Sequence, residues 1–178
     1  MKEYPNPLVL QRADPWCYKH TDGYYYFTGS VPAYDCIELR RAKTIEDLPD
    51  GEVSVVWKKH KDGIMSYNIW APELHYVNNK WYIYFAAGRE DEHFAHRCYV
   101  LECADENPLT GTWVEKGQIN TGWENFALDM TSFMHNGEQY LIWAQKQDGI
   151  DCNSNLYIAK CENPWTLATK AVMITTPE

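Results

Sequence analysis

The sequence predicts an all-β propeller, truncated to about three four-stranded blades. Three observations carry this reading. A hairpin-like motif recurs about every 57 residues. Short strand-like runs fill the space between its copies. No stretch sustains a 3.6-residue apolar period, so almost no helix is expected.

The hairpin motif is the clearest element. Asp22-Gly23-Tyr24-Tyr25-Tyr26-Phe27 recurs as Asn78-Asn79-Lys80-Trp81-Tyr82-Ile83-Tyr84-Phe85, and again from Asn136-Gly137 through Tyr140-Leu141-Ile142-Trp143. The turn starts at 22, 78 and 136 lie 56 and 58 residues apart. Asp-Gly, Asn-Asn and Asn-Gly pairs tolerate positive φ, so each is expected to close a two-residue hairpin. Aromatic and β-branched residues follow each pair, as in a buried strand.

The remaining elements keep the same step. Glu106-Asn107-Pro108 returns as Glu162-Asn163-Pro164, 56 residues later. Cys36–Leu39, Tyr99–Cys103 and Leu156–Ala159 read as further strands, and Ala171–Ile174 as the outer strand of the third blade. One partial propeller domain is expected over 1–178, with blades at about 8–60, 65–118 and 123–175. A β-sandwich also has many short strands but does not predict such a repeat. Three blades leave two uncovered apolar faces. Further C-terminal blades, or a homo-oligomer that completes the ring, are therefore expected.

Composition narrows the function. The 178 residues carry a net charge of -9, which argues against nucleic acid and anionic membrane surfaces as partners. The longest apolar run, Trp81 to Ala87, is far too short to span a bilayer. Met1 to Gln11 shows no signal-peptide pattern, so a cytoplasmic location is expected, or a secreted one if a leader has been removed. The six cysteines form no CxxC pair and read as reduced, mostly buried thiols. The aromatic fraction of 15% suits strands and sugar-stacking surfaces alike.

Two acids share one position in the repeat. Asp14 lies eight residues before the turn residue Asp22, and Asp129 seven before Asn136. Each opens the first strand of its blade. In a propeller these strands line the axis, so equivalent residues converge on one pocket. Two carboxylates there can divide labour, one activating water and the other adjusting pKa values and orienting a sugar. Blade 2 has Ala71 at this level. Glu73, offset by two, reads as a structural acid tying down blade edges.

These motifs resemble family 43 glycoside hydrolases of the α-L-arabinofuranosidase/β-xylosidase type. Asp14-Pro15 with the DGYYYF hairpin is similar to the first blade of that family. Ile69-Trp70-Ala71-Pro72-Glu73-Leu74-His75-Tyr76 with NNKWYIYFAAG is similar to the second. Phe126-Ala127-Leu128-Asp129 with the HNG hairpin and Ile142-Trp143-Ala144-Gln145 is similar to the third. The segment TGSVPAYDCIELRRAKTIEDL looks closest to the arabinofuranosidase branch.

The resemblance implies a five-bladed propeller and an inverting, exo-acting hydrolysis of arabinose- or xylose-containing carbohydrate without a cofactor. It implies Asp14 as general base and Asp129 as pKa modulator. The family's general acid is a fourth-blade Glu in a Glu-Gly-Pro-like motif, which this sequence does not contain. The alternative is a non-catalytic sugar-binding or structural fragment, since removing a general acid costs about 10²- to 10⁴-fold. Glu73, Glu90 and Glu124 are the conceivable substitutes.

Trp16, Trp70, Phe126 and Gln145 are the expected substrate contacts. His93 and His96 fall in a polar stretch, 88–96, that reads as an interstrand loop at the pocket rim. Their H-x-x-H spacing lacks further ligands, so no metal site is expected.

Overall fold

The computed structural model describes residues 5–152 and 154–177. The first four residues, on which the reading of the N-terminus partly rests, lie outside them. Three antiparallel sheets make up nearly all of the regular secondary structure of the described residues. Blade 1 runs β1 (Ala13–Lys19), β2 (Tyr25–Ser30), β3 (Cys36–Ala42), β4 (Glu52–Lys58). Blade 2 runs β5 (Tyr67–Val77), β6 (Lys80–Arg89), β7 (Glu92–Cys103), β8 (Trp113–Gln118). Blade 3 comprises β9 (Ala127–His135), β10 (Glu138–Gln145), β11 (Asn155–Asn163), β12 (Thr166–Leu167) and β13 (Val172–Thr175). Within each blade the strands pair in chain order, and β12 and β13 both pair with β11. One 3-10 turn, Leu48–Asp50, is the helical content of the described residues. No helix among them is long and apolar enough to cross a membrane.

Two of the three turns form as expected. Asn78 and Asn79 have φ of 51° and 61°, and Asn136 and Gly137 have φ of 49° and 79°. These values close the two-residue loops Val77–Lys80 and His135–Glu138. The first turn differs. β1 and β2 part at the Lys19–Tyr25 pair, and Gly23, with φ of 82°, ends a longer loop in which His20 N–H donates to Tyr24 O. Asp22 caps it, accepting from Tyr24 N–H and from the Tyr26 hydroxyl. Its side chain thus competes with a tight two-residue turn.

The polar stretch at 88–96 is another departure. The β6–β7 ladder continues to the Arg89–Glu92 pair, so His93 and His96 lie on a strand and not in a loop. His93 stacks on Tyr67 and His96 on Trp70, at 4.1 and 4.0 Å between ring centroids. Ring contacts outweigh the polarity of the neighbouring residues.

The core sits between blades. Trp81, Ile83 and Phe85 of β6 face blade 1, where they meet Tyr26, Ile37 and Leu39. Tyr82 and Tyr84, alternating with them, face blade 3 and meet Met130, Leu141, Trp143 and Tyr157. This is why β6 reads as an unbroken apolar run: as a strand of the middle blade, it is buried on both faces. Tyr84 Oη locks the second interface, donating to Pro164 O at 2.7 Å and accepting from Gln139 Nε2 at 3.0 Å.

The two outer faces are each covered only in part. On blade 1, Leu8, Val9 and Ile45 cover Phe27, Ala42 and Leu48. On blade 3, Phe133, Leu156 and Val172 remain 39%, 37% and 63% exposed. Val53 and Val55, on the outer strand of blade 1 and in register with Arg40 and Glu38, likewise remain 48% and 46% exposed, so apolar side chains stay uncovered on both outer faces. The cysteines are free thiols, but only Cys98, Cys103 and Cys161 are fully buried.

Candidate active site

The first strands β1, β5 and β9 lie side by side, and each is interrupted at the same level. In blade 1, Ala13 pairs Ser30 and Trp16 pairs Thr28, so Asp14 and Pro15 oppose Gly29 alone. In blade 2, Ala71 and Pro72 oppose Phe85 between the pairs Trp70–Ala86 and Glu73–Tyr84. In blade 3, Asp129 and Met130 oppose Trp143 between the pairs Leu128–Ala144 and Thr131–Ile142. Each is a two-against-one bulge.

The leading residue of each bulge takes the left-handed conformation. Asp14, Ala71 and Asp129 have φ of 49°, 45° and 52°. Asp tolerates this region, whereas Ala adopts it at a cost of about 1–3 kcal/mol. The bulges re-aim these side chains, and a cavity of about 180 Å³ is lined by Asp14, Pro15, Trp16, Ala71, Glu73 and Asp129.

The carboxylates in this cavity are held differently. Asp14 Oδ2 accepts a hydrogen bond from Ser30 Oγ at 2.8 Å, and Ser30 Oγ accepts one from Ala71 N–H at 2.8 Å. Glu73 Oε2 lies 3.0 Å from His75 Nε2. Partial burial pushes the Asp129 carboxyl above its ordinary pKa, and the charges of Asp14 and Glu73 push it the same way. Glu73 is thus part of the cavity wall and not only an edge-tying acid. Among the described residues no three His, Cys, Asp or Glu side chains gather closely enough to hold a metal ion.

The expected substrate contacts separate into three groups. Trp16 lines the cavity. Its Nε1 donates to Leu74 O at 2.9 Å, and its ring packs on His75 at 4.9 Å. Trp70 is half-buried against His96 and lies outside the cavity lining. Phe126, braced edge-on by His96, faces a separate cleft of about 400 Å³ with Phe94, Asn125 and Lys146.

Gln145 reaches neither space. It is fully buried, its Oε1 accepts from Trp143 Nε1 at 2.7 Å, and its Nε2 donates to Trp123 O at 3.3 Å. Those bonds occupy the amide, which corrects its reading as a sugar contact. Of the substitute acids, Glu124 bonds Arg97 and lines the outer cleft, and Glu90 lies 3.8 Å from Lys59. Neither lines the carboxylate cavity.

Sequence reasoning missed Ser30 and underrated Glu73. The offset of two from Ala71 hid Glu73, because the bulge between Trp70 and Glu73 breaks the in–out alternation of the strand.

The profile described as "Glycosyl hydrolases family 43" matches residues 4–178. The chain belongs to family 43.

Within that family it is 49% identical over 175 residues to a Streptomyces chartreusis protein named extracellular exo-alpha-(1->5)-L-arabinofuranosidase, covering 98% of this chain and 53% of the relative. It is also 49% identical to alpha-L-arabinofuranosidase 43 of Humicola insolens, covering 98% of this chain and 36% of the relative. A crystal structure of alpha-L-arabinofuranosidase from Lactobacillus brevis superposes with a TM-score of 0.94 at 53% identity, over 98% of this chain and 57% of that one. The chain thus spans about half the length, or less, of the relatives it matches. A thermostable family-43 glycoside hydrolase at 20% identity, with a TM-score of 0.75, shares the fold.

Proposed function

We propose that this family 43 chain supplies the base-bearing part of an inverting, exo-acting α-L-arabinofuranosidase. The observation that carries the reading is the convergence of Asp14 and Asp129, from equivalent bulges of blades 1 and 3, on one cavity. The names of the relatives at about half identity support the substrate class.

In this reading a water sits between Asp14 and the anomeric carbon of an arabinofuranosyl unit. Asp14 accepts a water proton as the water oxygen attacks, and the glycosidic C–O bond breaks with inversion. The departing oxygen takes its proton from an acid on the opposite side of the sugar, about 6.5–9.5 Å from the base. Asp129, whose charge couples to those of Asp14 and Glu73 across the cavity, adjusts the proton affinity of the acid and orients the sugar hydroxyls. Trp16 offers a ring to the C–H face of the sugar. Phe126 and the 77%-exposed Phe94 offer rings to units farther along the chain.

Proton NMR of the first product tests the mechanism. Release of β-arabinofuranose from p-nitrophenyl α-L-arabinofuranoside supports it, and α-arabinofuranose as first product contradicts it. Faster turnover of the matching β-xyloside would reassign the sugar. An extracellular setting is part of the same proposal, supported by the name of the Streptomyces relative, an extracellular arabinofuranosidase.

A further inference from the structure

Ser30 has no counterpart in the other blades. Its register position holds Ala86 in blade 2 and Ala144 in blade 3. It is 2% exposed and sits between two bulges. A serine hydroxyl has one proton to give. Ala71 N–H, turned aside by its own bulge, occupies a lone pair of Ser30 Oγ at 2.8 Å. The proton is therefore directed at Asp14 Oδ2, also at 2.8 Å. Among the described residues no protein donor is recorded at Asp14 Oδ1, and Asp14 lines the cavity.

We propose that Ser30 is a positioning residue for Asp14, and the proposal rests on the reading of Asp14 as the base. The Ala71 N–H fixes the serine, and the serine fixes one carboxylate oxygen in the blade wall. The other oxygen is left to take the water proton. No proton passes through Ser30, which keeps its own throughout. The blade that lacks a carboxylate at the shared level thereby contributes its backbone amide to the site. A purely structural Ser30 would tie blade 1 to blade 2 and do nothing more.

A double-mutant cycle separates the two roles. On an aryl α-L-arabinofuranoside, Ser30→Ala is expected to lower kcat about 10- to 100-fold with KM nearly unchanged. Ser30→Thr, which keeps the hydroxyl, restores most of that loss. In an Asp14→Asn background, Ser30→Ala costs no further rate. An equal loss in both backgrounds, or no rescue by Ser30→Thr in a variant whose Tm matches wild type, overturns the proposal. A second readout does not need turnover: the ¹³C shift of the Asp14 carboxyl should move in Ser30→Ala. An unmoved shift overturns the clasp itself. Absence of hydrolysis in wild type with a moved shift leaves the clasp standing and overturns the catalytic consequence drawn from it for this chain.

Discussion

Asp14 and Asp129 occupy the same step of two different blades, each leading a two-residue bulge, with φ of 49° and 52°. Both strands must bend at that step for the carboxylates to face one cavity. The left-handed backbone there suits Asp and Asn better than Ala. Variants that probe these acids are therefore best made to Asn.

Asp129→Asn is expected to stabilise the fold at neutral pH. Burial first, and then Asp14 and Glu73, raise the folded pKa of Asp129 above its unfolded value. Its favourable contribution is thus complete at acid pH and lost as pH rises through the folded pKa. Calorimetry should show a higher Tm for the variant at pH 7 and no difference in acid. A gap that widens toward acid would contradict the sign.

Gly29→Ala should disturb the base. Gly29 is the lone residue facing the Asp14-Pro15 bulge, and an added Cβ would lie 2.9 Å from Ala13 O, a backbone atom. A cost of about 1–3 kcal/mol is expected. Tm should fall by about 2–4 °C per kcal/mol. Hydrolysis should fall more than stability explains, because the strand that carries Asp14 must move. Unchanged kcat would contradict this.

Tyr84→Phe should loosen the blade 2–blade 3 interface. The hydroxyl donates to Pro164 O and accepts from Gln139, and its loss strands both partners in a buried setting. A cost of about 1–3 kcal/mol is expected from denaturant unfolding. A change below about 0.5 kcal/mol would mean that water replaces the hydroxyl.

Gln145→Ala should alter stability and leave KM unmoved. Trp143 Nε1–H, fully buried, loses its acceptor. A loss of about 1–3 kcal/mol is expected. A raised KM with unchanged Tm would restore Gln145 as a sugar contact.

Much of this was legible because it depends on local periodicity. The Asn78-Asn79 and Asn136-Gly137 turns are fixed by residues that accept positive φ, and they set the repeat register. That register aligned Asp14 with Asp129. What was hidden depends on cross-strand counting. Ser30 meets Asp14 only because one strand carries an extra residue, which no single strand reveals. Gln145 sits in the same signature as Trp143 and Ala144, but all three are buried, which departs from simple in–out alternation. His96 looked like part of a polar loop because a run of charges precedes it, while stacking on Trp70 draws its strand into the blade.

The central claim is that Asp14 is the base of a sugar-hydrolysing site. Turnover of p-nitrophenyl α-L-arabinofuranoside by wild type and Asp14→Asn tests it most directly, with Tm recorded for both. We expect measurable wild-type hydrolysis and a loss of about 10²- to 10⁴-fold in the variant at an unchanged Tm. Equal rates in the two proteins would contradict the account.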